Sequence, residues 1–197
     1  MIRTILCPVD LTDRSCEAVG LARDLARRLN ARVVLHHDVA AAPPSPMGVA
    51  WMWSEDHERE AEERAAEATR RLQSLLENLP PGSEAKLTRG PLDESVQQVA
   101  REVGADLLVI GSRGRRSPGD QSLTERLALS APCAVLALGD RCDASAGLGD
   151  PSENGTWPIV VPTDFSRRSL RAVRRAFELA EELRIEMHLV HACVGES

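Results

Sequence analysis

The chain has 197 residues and a formal net charge of −6, with 43% apolar residues but only three Trp, two Phe and no Tyr. That length accommodates one ordinary domain plus a substantial further piece, with a core built from Leu, Val, Ile and Ala. The acidic balance argues against a nucleic-acid partner, because the basic cluster Arg113, Arg115 and Arg116 is one short loop and no footprint for a duplex. No run approaches the ~20 apolar residues that span a bilayer, so a membrane partner is not expected. The five cysteines, Cys7, Cys16, Cys133, Cys142 and Cys193, form no C-x-x-C pair and no zinc-like spacing with His. An odd count without a secretory leader reads as free thiols in a reducing, cytoplasmic compartment.

Taken in order, 4–10 is a short β-rich run ending at Pro8 and Asp10, and 14–30 carries Ala18, Leu21, Ala22, Leu25 and Leu29 at helical spacing. A second strand is expected at 31–39. A proline-rich loop at 41–53 follows, whose Met47, Trp51, Met52 and Trp53 are expected to pack over the entrance of the next helix. That helix spans 54–79, with Ser54 as N-cap, Glu55 and Asp56 at the positive end of the dipole, and Glu–Arg pairs four apart on its outer face. A third strand (84–90), a helix (92–104), a fourth strand (105–111), a helix near 122–130 and a fifth strand (133–138) complete the run. Strands alternating with helices force parallel pairing, so the expected fold is α/β: a doubly wound, open, five-stranded Rossmann-like sheet. Ligands of such sheets bind at the carboxyl ends of strands where the strand order reverses, and Asp10 and Gly111 stand at such ends.

Residues 140–156 are rich in Gly, Asp and Ser and read as a linker between a first domain, 1–139, and a third segment, 157–197. In that segment the chain repeats itself at a constant offset of 154, with identities at Ile5/Ile159, Pro8/Pro162, Asp10/Asp164, Ser15/Ser169, Ala22/Ala176, Leu29/Leu183 and His37/His191. Matching residues in one register across strand, helix and strand indicate a duplicated unit, of which the second copy supplies only β-α-β. Its first strand is expected to keep a free edge, because no counterpart of 105–138 follows.

The "PVD" and "PTD" starts and "ADLLVIGSRGR…TERLALSAPCAVLAL" in this order resemble the universal stress protein family, with one whole domain and the first third of another. The resemblance implies an adenine-nucleotide α-hydrolase-like fold that often dimerises through its fifth strand, with members that bind ATP and members that bind none. ATP-binding members carry a glycine, two residues, a glycine, nine residues and then Gly-Ser or Gly-Thr, a strand-to-helix turn that aims backbone N–H groups at phosphate. Gly111 and Gly114 match the first half. Aligned on "TER…APC", Gln121-Ser122 take the Gly-Ser place and the loop is about three residues shorter. Arg113, Arg115, Arg116 and the Ser122 hydroxyl are the candidate phosphate partners, or else a solvated surface turn.

Asp10 matches the acidic residue that lies by the adenine in ATP-binding members; its alternative role is to cap the following helix. Asp38 stands where a small apolar residue usually faces the base. His36 and His37 are neighbours on a strand and point to opposite faces, which argues against a metal site, and Cys7 is a small core residue. The function expected is a stress-response binding or regulatory protein with a degenerate nucleotide loop and no robust catalysis. The alternatives are an ATP-binding, slowly hydrolysing member using ATP with Mg, and a structural homodimer without ligand.

Overall fold

The computed structural model describes residues 1–39, 55–111, 122–139 and 158–192. The proline-rich loop with Ser54, the arginine loop 112–121 and the segment 140–157 lie outside the described residues. The chain divides into two compact units, Met1–Ser145 and Ala146–Ser197.

The first unit runs β1 (Thr4–Pro8), α1 (Asp13–Leu29), β2 (Arg32–Asp38), α2 (Glu55–Leu76), β3 (Glu84–Thr88), α3 (Leu92–Glu102), β4 (Leu107–Gly111), α4 (Leu123–Ser130) and β5 (Ala134–Leu138). All pairings are parallel, in the order β3-β2-β1-β4-β5. The strand order therefore reverses between β1 and β4, the topological switch point of a doubly wound sheet. The edge strand β3 reads Glu-Ala-Lys-Leu-Thr, whereas the central β1 and β4 are short, largely apolar runs, and all five residues of β1 are buried. Both sheet faces are covered, which is why these strands read as continuous rather than alternating apolar runs.

On one face Leu6, Val34, Leu108 and Ile110 pack against Val96, Val99 and Ala100 of α3 and Leu127 of α4. The opposite face carries α1, which packs on β1, β2 and β4, while α2 packs on β3. Each fully buried Leu contributes about 2–3 kcal/mol of hydrophobic stabilisation. Cys7 is fully buried, and burial pushes its thiol up to about 12, with the neighbouring Cys16 adding to the rise. It is a core residue and no nucleophile. Two of the expected surface pairs on α2 form, Glu60–Arg64 at 3.7 Å and Glu67–Arg71 at 2.9 Å. Among the described residues no helix is long and apolar enough to cross a membrane.

The second unit holds β6 (Ile159–Pro162), α5 (Arg167–Leu183) and β7 (Met187–Val190), with β6 and β7 parallel. Local geometry repeats at the same offset of 154 as the sequence. Leu11 and Phe165, at φ 59° and 61°, both make a left-handed turn after the first strand, and Asn30 and Arg184, at 51° and 55°, both end the helix. His37 Nδ1 lies 2.7 Å from the Val9 carbonyl, and His191 Nδ1 lies 2.7 Å from that of Thr163. Burial does not repeat. Leu6 and Leu35 are fully buried, whereas Val160 and Leu189 at the matching positions are 58% and 50% exposed. Among the described residues β6 is paired only with β7, so its other edge, the one β1 gives to β4, is open.

Candidate functional site

The site is built where β1, β2 and β4 end. After Pro8 the chain makes the left-handed turn at Leu11, and Thr12 becomes the N-cap of α1. Asp10 supports that turn: its Oδ1 accepts the Thr12 backbone N–H at 3.1 Å and the Thr12 hydroxyl at 2.5 Å. Asp10 thus closes the turn ahead of the helix without being the N-cap, and it remains exposed. A left-handed β-branch-free residue costs of order 1 kcal/mol or more, and such strain collects at ligand-binding turns. The equivalent turn recurs in the second unit, where Asp164 accepts the Ser166 N–H at 2.9 Å. Hydrogen bonds from Ser169 and then Ser166 hold its carboxyl well below the usual carboxylate range.

Asp10, Leu11, His37, Asp38 and Val39 line one cavity of about 920 Å³, walled on the other side by α2 between Glu60 and Arg71. Two candidate residues, Asp10 and Asp38, are therefore brought together. Gly111 ends β4 on the far side of β1, opposite Leu138 of β5, and does not line that cavity. Arg113, Gly114, Arg115, Arg116 and Gln121 lie outside the described residues.

Asp38 is anchored by residues that no sequence motif marks. Its Oδ2 accepts the Thr88 hydroxyl at 2.9 Å and the Ser95 hydroxyl at 2.8 Å. Because the Thr88 proton goes to Asp38, the Thr88 oxygen accepts from His36 Nε2 at 2.7 Å, which assigns His36 the Nε2–H tautomer. His36 is fully buried, and its Nδ1 has no partner among the described residues. Burial, with a smaller contribution from His37 and opposed by Asp38, lowers its pKa to about 4, so the ring is neutral at pH 7. The order of this chain does not suit nucleophilic catalysis: the hydroxyl, not the imidazole, sits in the middle. As alternation along β2 demands, His36 turns to Thr88 while His37 turns to the Val9 carbonyl.

Ser122 is the N-cap of α4. Its hydroxyl accepts the Glu125 N–H at 3.2 Å, and the Glu125 carboxylate accepts the Ser122 N–H at 2.9 Å. This reciprocal box satisfies two of the helix's orphan donors and sets a carboxylate on the very terminus where a phosphate would otherwise be held. The pattern Ser-x-x-Glu at 122–125 was the legible signal. Arg126 ties α4 to α3 through Asp93 at 3.2 Å.

A parallel sheet with this strand order, an acidic turn after β1 and a glycine ending β4 at the switch point defines a doubly wound α/β protein. The sequence profile of the universal stress protein family matches residues 1–139 and 157–197. The chain belongs to that family. It is 30% identical over 141 residues to the Thermus aquaticus "universal stress protein in QAH/OAS sulfhydrylase 3′ region", covering 70% of this chain and 99% of that one. Among solved structures, the universal stress protein UspA from Lactobacillus plantarum superimposes with a TM-score of 0.55 at 25% identity, over 70% of this chain and 98% of that one. A universal stress protein solved in complex with cAMP matches with a TM-score of 0.51 at 23% identity, over 70% and 97%. At that identity the likeness concerns the fold.

Proposed function

We propose that the protein is a stress-response binding protein, regulatory rather than catalytic, whose first unit takes an adenine nucleotide weakly at the carboxyl ends of β1 and β4. The observation that carries this reading is the Glu125 carboxylate on the α4 N-terminus. An incoming phosphate meets a negative charge and already satisfied N–H groups there, in place of an open cradle. The base and ribose end has a better berth beside Asp10 and Asp38. A family relative holding cAMP supports the choice of an adenine nucleotide. Mg, in this reading, arrives with the phosphates of ATP, because among the described residues no three His, Cys, Asp or Glu side chains are grouped to hold a metal.

Calorimetric titration with ATP, ADP and cAMP, with and without magnesium, tests the reading. The expected Kd for ATP is on the order of 0.1 mM, about −5.5 kcal/mol. Asp10→Ala should abolish measurable binding at that concentration. Glu125→Gln should tighten ATP about fivefold, since it removes one repulsive charge worth about 1 kcal/mol at a helix N-terminus while an amide still accepts the Ser122 N–H. No heat from the unmutated protein at millimolar nucleotide would leave the structural-dimer reading. ATP turnover lost in Asp10→Ala would establish the slowly hydrolysing one.

A further inference from the structure

We propose that α5 is a self-association surface through which two copies of this chain pack helix against helix, antiparallel, about a two-fold axis. The first observation is apolar. Leu170 and Phe177 are 50% and 52% exposed, and Val173 between them is half-buried. Their spacing of three and four puts them on one stripe of the helix. The matching positions of α1 are Cys16, Val19 and Arg23, with Val19 buried, so a stripe of three apolar residues that is open to solvent is found on α5 and not on α1.

The second observation is electrostatic. Beside that stripe Arg167, Arg171 and Arg174 are followed by Glu178 and Glu181, five positions at spacings of four, three, four and three. The positive half lies at the helix N-terminus, with no acidic residue in the first turn, and the negative half at the C-terminus. This is the reverse of what the helix dipole favours. It is also the reverse of α1, which has Asp13, Glu17 and Arg27 where α5 has Arg167, Arg171 and Glu181. A polarity maintained against the helix's own field points to an external partner of opposite polarity. An antiparallel second copy of α5 presents that polarity together with a matching apolar stripe. With Leu170 set against Phe177 of the second copy, Arg167 meets its Glu181 and Arg171 comes near its Glu178, and the symmetry repeats both pairs. Arg174 approaches its own symmetry mate, one like-charge contact against these, and Glu178 keeps Arg175 at 3.0 Å within its helix. Arg167–Glu181 is therefore the principal pair. Helix α1 of another copy offers matching charges in a parallel arrangement but sets Arg23 against Phe177, so it fits less well. The β6 edge is a poor alternative for docking: Ile159 and Thr163 give their N–H groups to Glu186 and Val190, and of the intervening outward positions Pro162 has none.

Sedimentation and multi-angle light scattering on the whole chain test the proposal. The 21.4 kDa chain should move from monomer to twice that mass as its concentration rises. Leu170→Glu/Phe177→Glu should weaken the dimer by more than about 100-fold with unchanged circular dichroism, because both side chains are exposed. Arg167→Glu and Glu181→Arg should each weaken it about 5–10-fold, and the two together in one chain should restore it to within about twofold. A chain that stays monomeric at 0.5 mM (roughly the upper end of accessible concentration), a dimer indifferent to Leu170→Glu/Phe177→Glu, or charge reversals without mutual rescue would each overturn it. A dimer in which reversal of Asp13, and not of Glu181, rescues Arg167→Glu would place α1 on the stripe instead, and would overturn it as well.

Discussion

Acidification from pH 7.5 to 5 should destabilise the first unit, and replacing His36 with leucine should remove most of that sensitivity. The folded His36 titrates near 4 because the ring is buried, against about 6.5 when unfolded. Between these values the unfolded chain binds the extra proton, so folding stability rises with pH through this window. The contribution is fully present above about 6.5 and is lost progressively as pH falls toward 4. The shift corresponds to about 3 kcal/mol in all. Part of that is gone by pH 5. His36→Leu leaves the Thr88 and Ser95 hydroxyls on Asp38 and fills the ring's space with apolar atoms. Urea midpoints of both proteins across pH 4–7.5 decide the matter: parallel curves would show that another group carries the acid sensitivity.

The second large effect compares one strand position in the two copies. Leu6→Ala should cost the first unit about 3 kcal/mol, because Leu6 is fully buried among Val34, Val96, Val99, Leu108 and Leu127 and the site cannot collapse around the missing atoms. For a unit of this size that is a fall of about 10 °C in Tm. Val160→Ala at the same position of β6 should change stability by less than about 0.5 kcal/mol, because Val160 is 58% exposed. Thermal melts of both variants, followed with a probe in each unit, make the comparison. Equal losses would mean that β6 is covered as fully as β1.

These two residues show where sequence reading stops. The sequence repeats from 5–37 to 159–191, and most features set by the nearest few residues repeat in the structure, although the Ser166 hydroxyl caps α5 by accepting the Ser169 N–H whereas the Thr12 side chain does not cap α1. Both copies have a left-handed turn after the strand, a left-handed helix end, a strand-two histidine on the backbone carbonyl 28 residues before it, and the same parallel register. The helix ends came within a few residues of their expected places, as fraying at caps allows, except that α2 stops at Leu76 before the apolar pattern does at Leu79. The partners of Asp38 were beyond reach. Thr88 and Ser95 lie 50 and 57 residues away, and neither stands in a pattern that marks it. The role of Ser122 was half legible. Its place at a helix start was expected, whereas the partner of its hydroxyl is Glu125, one turn onward.

The sequence by itself determined the alternation of strand and helix, and with it a parallel sheet, because the periodicity of apolar residues and the turn chemistry of Pro, Gly and Asp act over a few residues. It also determined the duplication at an offset of 154 and the position of the acidic turn at Asp10. The tertiary structure decided which of two related β-α-β segments is buried. Burial depends on β4, α3 and α4 arriving from distant sequence to close the edge and face of β1, and no such elements are described beside β6. It likewise decided that Asp10 and Asp38 share a cavity while Gly111 does not line it, since adjacency at strand ends follows strand order, and strand order is set by long-range packing that no local pattern encodes.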